Sequence, residues 1–220
     1  MITAHSGCDR TGDNSMAFVR YALSLPVDAL EVDVRRNACG ELVLGHDAPA
    51  ENAVRLAEVF DLLRAHPEKK INCDLKQKGL EADVAALAQA HGTAYQLIFT
   101  GDVNPALFRK GQMQFPGVIW YANLEVFLPE FSQWQRAGMS QAEQDAHLRA
   151  VLEQMTAYET AGLNWHFSLV ERVWEQAREM GMGVSVWTVN EPEEQKRWLA
   201  RHVDNITTRE TALLLALRGG

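Results

Sequence analysis

Two carboxylates stand two residues apart in DALEVDVRRNACGELVLGHD, the stretch from Asp28 to Asp47. Leu30, Val32 and Val34 alternate with Glu31 and Asp33, and alternation with a period of two predicts a strand. Residues i and i+2 of a strand share a face, so both acids aim at one point. Burying two such groups is costly unless positive charge lies between them. A divalent cation meets that need, and carboxylate oxygens suit Mg²⁺ or Ca²⁺. The same two acids also fit a half-exposed edge strand with solvated side chains, and this strand alone does not choose. A turn at Cys39–Gly40 leads through Leu42, Val43 and Leu44 to Gly45, His46 and Asp47.

The rest of the chain supplies elements that would position more groups beside this pair. Apolar runs or period-2 alternation predict strands over residues 2–4, 29–34, 70–76, 96–100, 118–124, 162–167, 183–189 and 205–207. Helical spacing of apolar residues places helices over 16–23, 56–65, 80–91, 141–158, 169–180, 192–202 and 210–217, with a short one near 105–109. Pro26 and Pro67 close two of them, Gly181 suits the end of a third, and Pro192 suits the first turn of another. Strand and helix thus alternate eight times, which argues an α/β fold with a parallel sheet. Eight units in 220 residues fit a (β/α)₈ TIM barrel near the lower end of its size range, spanning residues 1–220 as one domain. A doubly wound open sheet is the competing arrangement, but no glycine-rich phosphate loop follows an early strand.

Composition narrows the partners. The chain is 47% hydrophobic and 23% charged, ordinary for a globular protein with a sizeable core. A net charge of −8 argues against nucleic acid or an anionic membrane as the main partner. An anionic substrate would have to meet local positive charge. Cys8, Cys39 and Cys73 form neither a disulfide framework nor a zinc motif, so a reduced, cytoplasmic setting is expected. The opening residues MITAHSG lack the features of a signal peptide, and no apolar run reaches the roughly 18 residues of a membrane span. Oligomeric state is not legible.

Catalytic groups of such a barrel sit at the C-terminal ends of its strands. Collected there are His5 from strand 1, Glu31 and Asp33 from strand 2, His46 just after it, and Asp74 and Lys76 from strand 3. Six such residues from neighbouring strands are harder to explain as packing than any one is. Trp187, near the end of the seventh strand, is placed to wall the site. His66, His91, His147 and His202 fall at surface or helix positions, His166 is undecided, and Lys76 also fits a plain ion pair with Asp74. Trp120, Trp134, Trp165, Trp174 and Trp198 read as packing, and Glu191, Glu193 and Glu194 as a solvated first helical turn.

With these residues in view, the sequence resembles the glycerophosphodiester phosphodiesterase family of the phospholipase C-like phosphodiesterase superfamily. The resemblance runs over His5-Ser6-Gly7, Asn14-Ser15, LEVDV, GHD, CDLK and VSVWTVN ending at Asn190, in the family's order and over most of the chain. It implies a (β/α)₈ barrel, hydrolysis of a small phosphodiester and a place in lipid metabolism. Glu31, Asp33 and Asp74 would hold one divalent cation, Mg²⁺ or Ca²⁺. His5 and His46 would be the acid/base pair, and Lys76 would help to neutralise the phosphate. One His would activate a water or hydroxyl while the other protonates the leaving alkoxide, on opposite sides of the phosphorus.

Three departures from the family's pattern bear on the substrate. Ser6 stands where the family usually has Arg, so one phosphate contact is missing. Asp74 stands where Glu is usual. Residues 48–73 leave room for one helix and no cap over the site. An open mouth should favour a bulkier, more apolar alcohol than glycerol, reaching Trp187 and the loop after strand 5, where Phe127, Phe131 and Trp134 would fold over it. The same motifs resemble sphingomyelinase D-like relatives, which are typically secreted and disulfide-bonded, so that reading ranks second. A barrel that only binds a phosphate ester ranks third, because both histidines and all three acids are retained.

Overall fold

The computed structural model describes residues 1–131 and 138–219. Its strands are β1 (Ile2–Ala4), β2 (Ala29–Arg36), β3 (Leu42–Leu44), β4 (Lys70–Leu75), β5 (Leu97–Gly101), β6 (Ile119–Asn123), β7 (Gly162–His166), β8 (Gly183–Trp187) and β9 (Asn205–Thr208). The sheet runs β1-β9-β8-β7-β6-β5-β4-β2, and β1 also pairs with β2, so eight parallel strands close into a barrel. The (β/α)₈ arrangement read from the alternation is therefore the observed fold. β3 lies outside that count. It pairs antiparallel with the end of β2, through Val34↔Leu44 and Arg36↔Leu42, as an extra hairpin that carries His46.

The helices are α1 (Met16–Ser24), α2 (Leu56–Leu63), α3 (Glu81–Ala90), α4 (Leu124–Phe127), α5 (Gln141–Met155), α6 (Phe167–Val170), α7 (Trp174–Glu179), α8 (Pro192–Ala200) and α9 (Thr211–Gly219). α1 begins where the Ser15 hydroxyl accepts the Phe18 N–H, and it buries Phe18, Val19, Ala22 and Leu23. α5 begins at a reciprocal capping box of Ser140 and Glu143. The single helix expected over 169–180 is two short helices, α6 and α7, because Glu171 to Val173 break the spiral between them. Gly181 does end α7 in the left-handed conformation, at φ 66°. No helix among the described residues is long and apolar enough to cross a membrane.

Alternation along each strand separates two cores. Leu30, Val32, Val34, Ile71, Cys73, Phe99, Trp120, Leu163, Trp165, Val184 and Val186 are buried in the cluster shared with the helices. The alternate residues fill the barrel, and most are polar. Thr100 Oγ1 donates to Asn72 Oδ1, Asn164 donates to Asn123, and Asn205 joins Thr3, Ser185 and Thr207. Branched aliphatic residues usually dominate such layers. Here Ala29, Ile98 and Tyr121 form a separate small apolar cluster with Met1 and Ile119. Each buried polar group needs a partner, and these layers supply one another. The interior is therefore polar beside and beneath Asp74 on β4, with the small apolar cluster below Glu31 on β2.

Candidate functional site

Register brings the carboxylates together. β2 pairs with β4 so that Glu31 faces Asn72 and Asp33 faces Asp74 across the parallel ladder. One ligand oxygen from each of Glu31, Asp33 and Asp74 lies within 4.8 Å of the others. Glu31 and Asp33 are buried and Asp74 is half-buried.

Fixed donors orient each carboxylate, Glu31 and Asp74 through one oxygen and Asp33 through both. The Ser6 backbone N–H donates to Glu31 Oε2 at 3.0 Å. Asn14 Nδ2 donates to Asp33 Oδ2 at 2.7 Å, and its Oδ1 accepts the Asp33 N–H at 3.0 Å. Lys76 Nζ donates to Asp74 Oδ2 at 2.6 Å and lies 3.0 Å from Asp33 Oδ1. Asn14 reaches Asp33 from a loop that turns through left-handed backbone at Gly7, Asp9, Arg10 and Asn14. Ser6 is buried, and its hydroxyl accepts the Asn14 N–H. Position 6 thus builds this loop and does not line the cavity.

Burial pushes the Glu31 carboxyl up to about 7, with Asp33 and Asp74 adding repulsion that His5 and the Ser6 N–H only partly offset. Burial also raises Asp74, against the pull of Lys76. Burial alone would lower the Lys76 ammonium, but Asp74 and Asp33 outweigh it and hold the group protonated. Three acids with one ammonium leave a deficit of positive charge. Asp74 Oδ1 is buried with no hydrogen-bond partner among the described residues. An all-oxygen donor set, outer contacts already in place and one bare oxygen together fit a hard divalent cation.

The histidines flank this centre. His5 follows β1, with Nδ1 2.8 Å from the Ser6 carbonyl and 3.8 Å from Glu31 Oε2. A carbonyl only accepts, so Nδ1 carries the proton and Nε2 is left for other chemistry. His46 follows β3 and is largely exposed, with Nδ1 3.1 Å from Asp47 Oδ1, which fixes the same tautomer. His5, Glu31, Asp33, His46, Asp74, Lys76 and Trp187 all line one cavity of about 1300 Å³. Trp187 Nε1 is a buried donor with no partner among the described residues. His166 lies edge-on to Trp187 and bonds Ser168, outside the cavity lining, and burial lowers its pKa.

One expectation is overturned. Phe127 and Phe131 do not fold over the mouth. Phe127 packs on Tyr158 and Phe131 on Trp165, at 5.7 and 4.9 Å between ring centres, because burial in the helix layer is worth more to these rings than a wet rim. Trp134 lies outside the described residues. Among the described residues of this connection, Glu125, Val126 and Pro129 line the cavity. Sequence reasoning also missed Asn72, Thr100, Asn123 and Glu125, which line it too. Their signal was available, since Thr100, Asn123 and Glu125 sit at or just beyond a strand's C-terminal end and Asn72 shares the face of Asp74 on β4.

Gly101 was missed as well. Its φ is 82°, and a Cβ there would lie 2.1 Å from Asp74 Oδ1 and 2.4 Å from the Leu75 carbonyl. Gly101→Ala is expected to cost on the order of 2–4 kcal/mol of stability through strained backbone and overpacking. It should also weaken divalent-ion affinity at least tenfold by displacing Asp74. Chemical denaturation and calorimetric titration check both effects, and unchanged metal affinity would separate this glycine from the site.

No protein-family model and no curated protein matches the chain. Solved structures do. A glycerophosphodiester phosphodiesterase from Agrobacterium tumefaciens superposes with a TM-score of 0.69 at 17% identity, covering 100% of this chain and 99% of that one. One from Thermotoga maritima gives 0.67 at 20%, covering 99% and 97%. A phosphodiesterase from Oleispira antarctica, solved with its product sn-glycerol-3-phosphate, gives 0.72 at 16%, covering 100% and 97%. The chain shares the (β/α)₈ fold of these phosphodiesterases from end to end.

Proposed function

We propose that the chain is a metal-dependent phosphodiester hydrolase, a divergent member of the glycerophosphodiester phosphodiesterase family with a shortened cap. The observation that carries this reading is the carboxylate triad, each acid oriented by a fixed donor and flanked by two histidines with free Nε2 atoms. That structures with this fold are phosphodiesterases, one holding a glycerol phosphate product, supports it. Glu31, Asp33 and Asp74 hold the cation, Mg²⁺ or Ca²⁺. When bound there, such an ion stabilises negative charge on the phosphoryl oxygens.

The chain's own groups do the rest. Lys76 Nζ, fixed between Asp33 and Asp74, offers a cation to a non-bridging phosphate oxygen. Trp187 walls the cavity beside it. One imidazole takes a proton at Nε2 from the attacking water or neighbouring substrate hydroxyl as the new P–O bond forms. The other starts as the imidazolium, keeps its Nδ1 proton, and delivers its Nε2 proton to the departing alkoxide as the old P–O bond breaks, which a poor leaving group requires. Cys8, Cys39 and Cys73 are free thiols, in keeping with a reducing, cytoplasmic setting.

A panel of phosphodiesters and phosphomonoesters, assayed with and without chelator, tests the reading. Diesters should turn over only with metal, and monoesters should be untouched. Equal turnover in chelator, or a preference for monoesters, contradicts it.

A further inference from the structure

The cavity runs well past the triad. At about 1300 Å³ it exceeds the roughly 300–1,000 Å³ common for small-ligand pockets, and a glycerol phosphodiester would leave much of it to water. Its second half lies across β5, against the segment after β5 and the start of α4. Strands lie about 4.8 Å apart, so the β6 side is on the order of 10 Å from Asp74 on β4.

The chemistry of the wall changes along that path. Val103, Leu107, Phe115, Val126 and Pro129 take over from the acids. Phe115 is held rigidly, packed edge-on against Phe99 at 6.3 Å and tilted on Phe108 at 5.9 Å. Two polar groups here, Glu81 and Asn104, are used by the wall itself. Glu81 Oε1 accepts the Asn104 N–H at 2.7 Å, and Asn104 Oδ1 accepts the Ala106 N–H at 3.1 Å. Lys78, Asp102 and Gln114 lie toward solvent in this half, and burial raises the Glu125 carboxyl against the pull of Trp165. Inside, few side chains remain to hydrogen-bond the hydroxyls of a sugar or polyol, whereas an apolar chain covering this wall would release water.

We propose that this half of the cavity is a subsite for an extended apolar arm on the esterified alcohol. The preferred substrate is then an amphipathic phosphodiester, with its phosphate at the triad and its alkyl arm along Leu107, Phe115 and Val126. The inference rests on the phosphodiesterase reading for its chemistry, but the subsite can be read by binding alone. The probes are n-alkyl phosphates from methyl to decyl, titrated calorimetrically into the full chain with Mg²⁺ present. Affinity should rise roughly 3–4-fold per added methylene until the lobe is filled, the factor expected for a buried methylene. Leu107→Gln and Val126→Gln should each flatten that rise and leave methyl phosphate binding unchanged.

A flat or falling series in the parent protein overturns the subsite, as does a rise that both variants retain. Turnover is scored separately on alkyl 4-nitrophenyl phosphodiesters of the same chain lengths. If affinity climbs but no diester is cleaved, the hydrolase reading fails while the subsite stands. If short diesters are cleaved and chain length has no effect on affinity or kcat/KM, the subsite fails while the hydrolase reading stands.

Discussion

Glu31→Gln is expected to abolish most divalent-ion binding and to stabilise the metal-free barrel at the same time. The folded chain holds the Glu31 carboxyl near 7, well above its ordinary value, because it is buried beside Asp33 and Asp74. An acid with a raised folded pKa binds its proton more tightly folded than unfolded. Its destabilising effect is absent below the unfolded pKa, grows as pH rises towards 7, and is complete above it. Glutamine removes the ionisable group and can still accept the Ser6 N–H. At pH 8 in chelator the variant should therefore be more stable by up to about 3 kcal/mol, at 1.36 kcal/mol per pKa unit, and at pH 4 the gain should vanish. Excess Mg²⁺ or Ca²⁺ should reverse the order, since only the parent gains from binding. Asp33→Asn should also lose metal affinity. Its stability gain should be smaller, because Asp33 is paired with Lys76 and Asn14. Unchanged metal affinity in both variants would remove the triad from the account.

Replacing either histidine should leave the metal site intact and slow the chemistry. His5→Ala and His46→Ala are each expected to lower kcat by roughly 10²-fold or more on a substrate with an alkyl leaving group, with metal affinity nearly unchanged. A nitrophenyl leaving group departs without a proton, so it should restore the rate only of the variant that lacks the general acid. The comparison assigns the two roles. A variant with near-parental turnover on the alkyl substrate would show that its histidine takes no part.

The fold was legible because strands buried on both faces still alternate when one face is polar. Glu31, Asp33, Asp74 and Lys76 stand out against Leu30, Val32, Ile71, Cys73 and Leu75 at a period of two, and the site residues were found on that alternation. What escaped depends on partners distant in sequence. Gly101 is fixed by Asp74 and Leu75 on the neighbouring strand. Asn14 matters because it spans to Asp33, and Ser6 because of what its backbone holds. β3 looked like an approach to His46, and only its pairing with β2 shows it to be a strand. Phe127 and Phe131 gave no sign of which layer they would enter, since period and composition are the same for a ring in a lid and a ring in a core.

The central claim is that the triad and two histidines hydrolyse a phosphodiester with the help of a divalent ion. Phosphorus-31 NMR of an alkyl phosphodiester incubated with the protein tests it most directly. The expected result is steady loss of the diester resonance and growth of a phosphomonoester resonance, directly or through a cyclic ester, halted by chelator and resumed on adding Mg²⁺ or Ca²⁺. A diester resonance that persists with the metal site demonstrably filled, or that decays at the same rate in chelator, would contradict it.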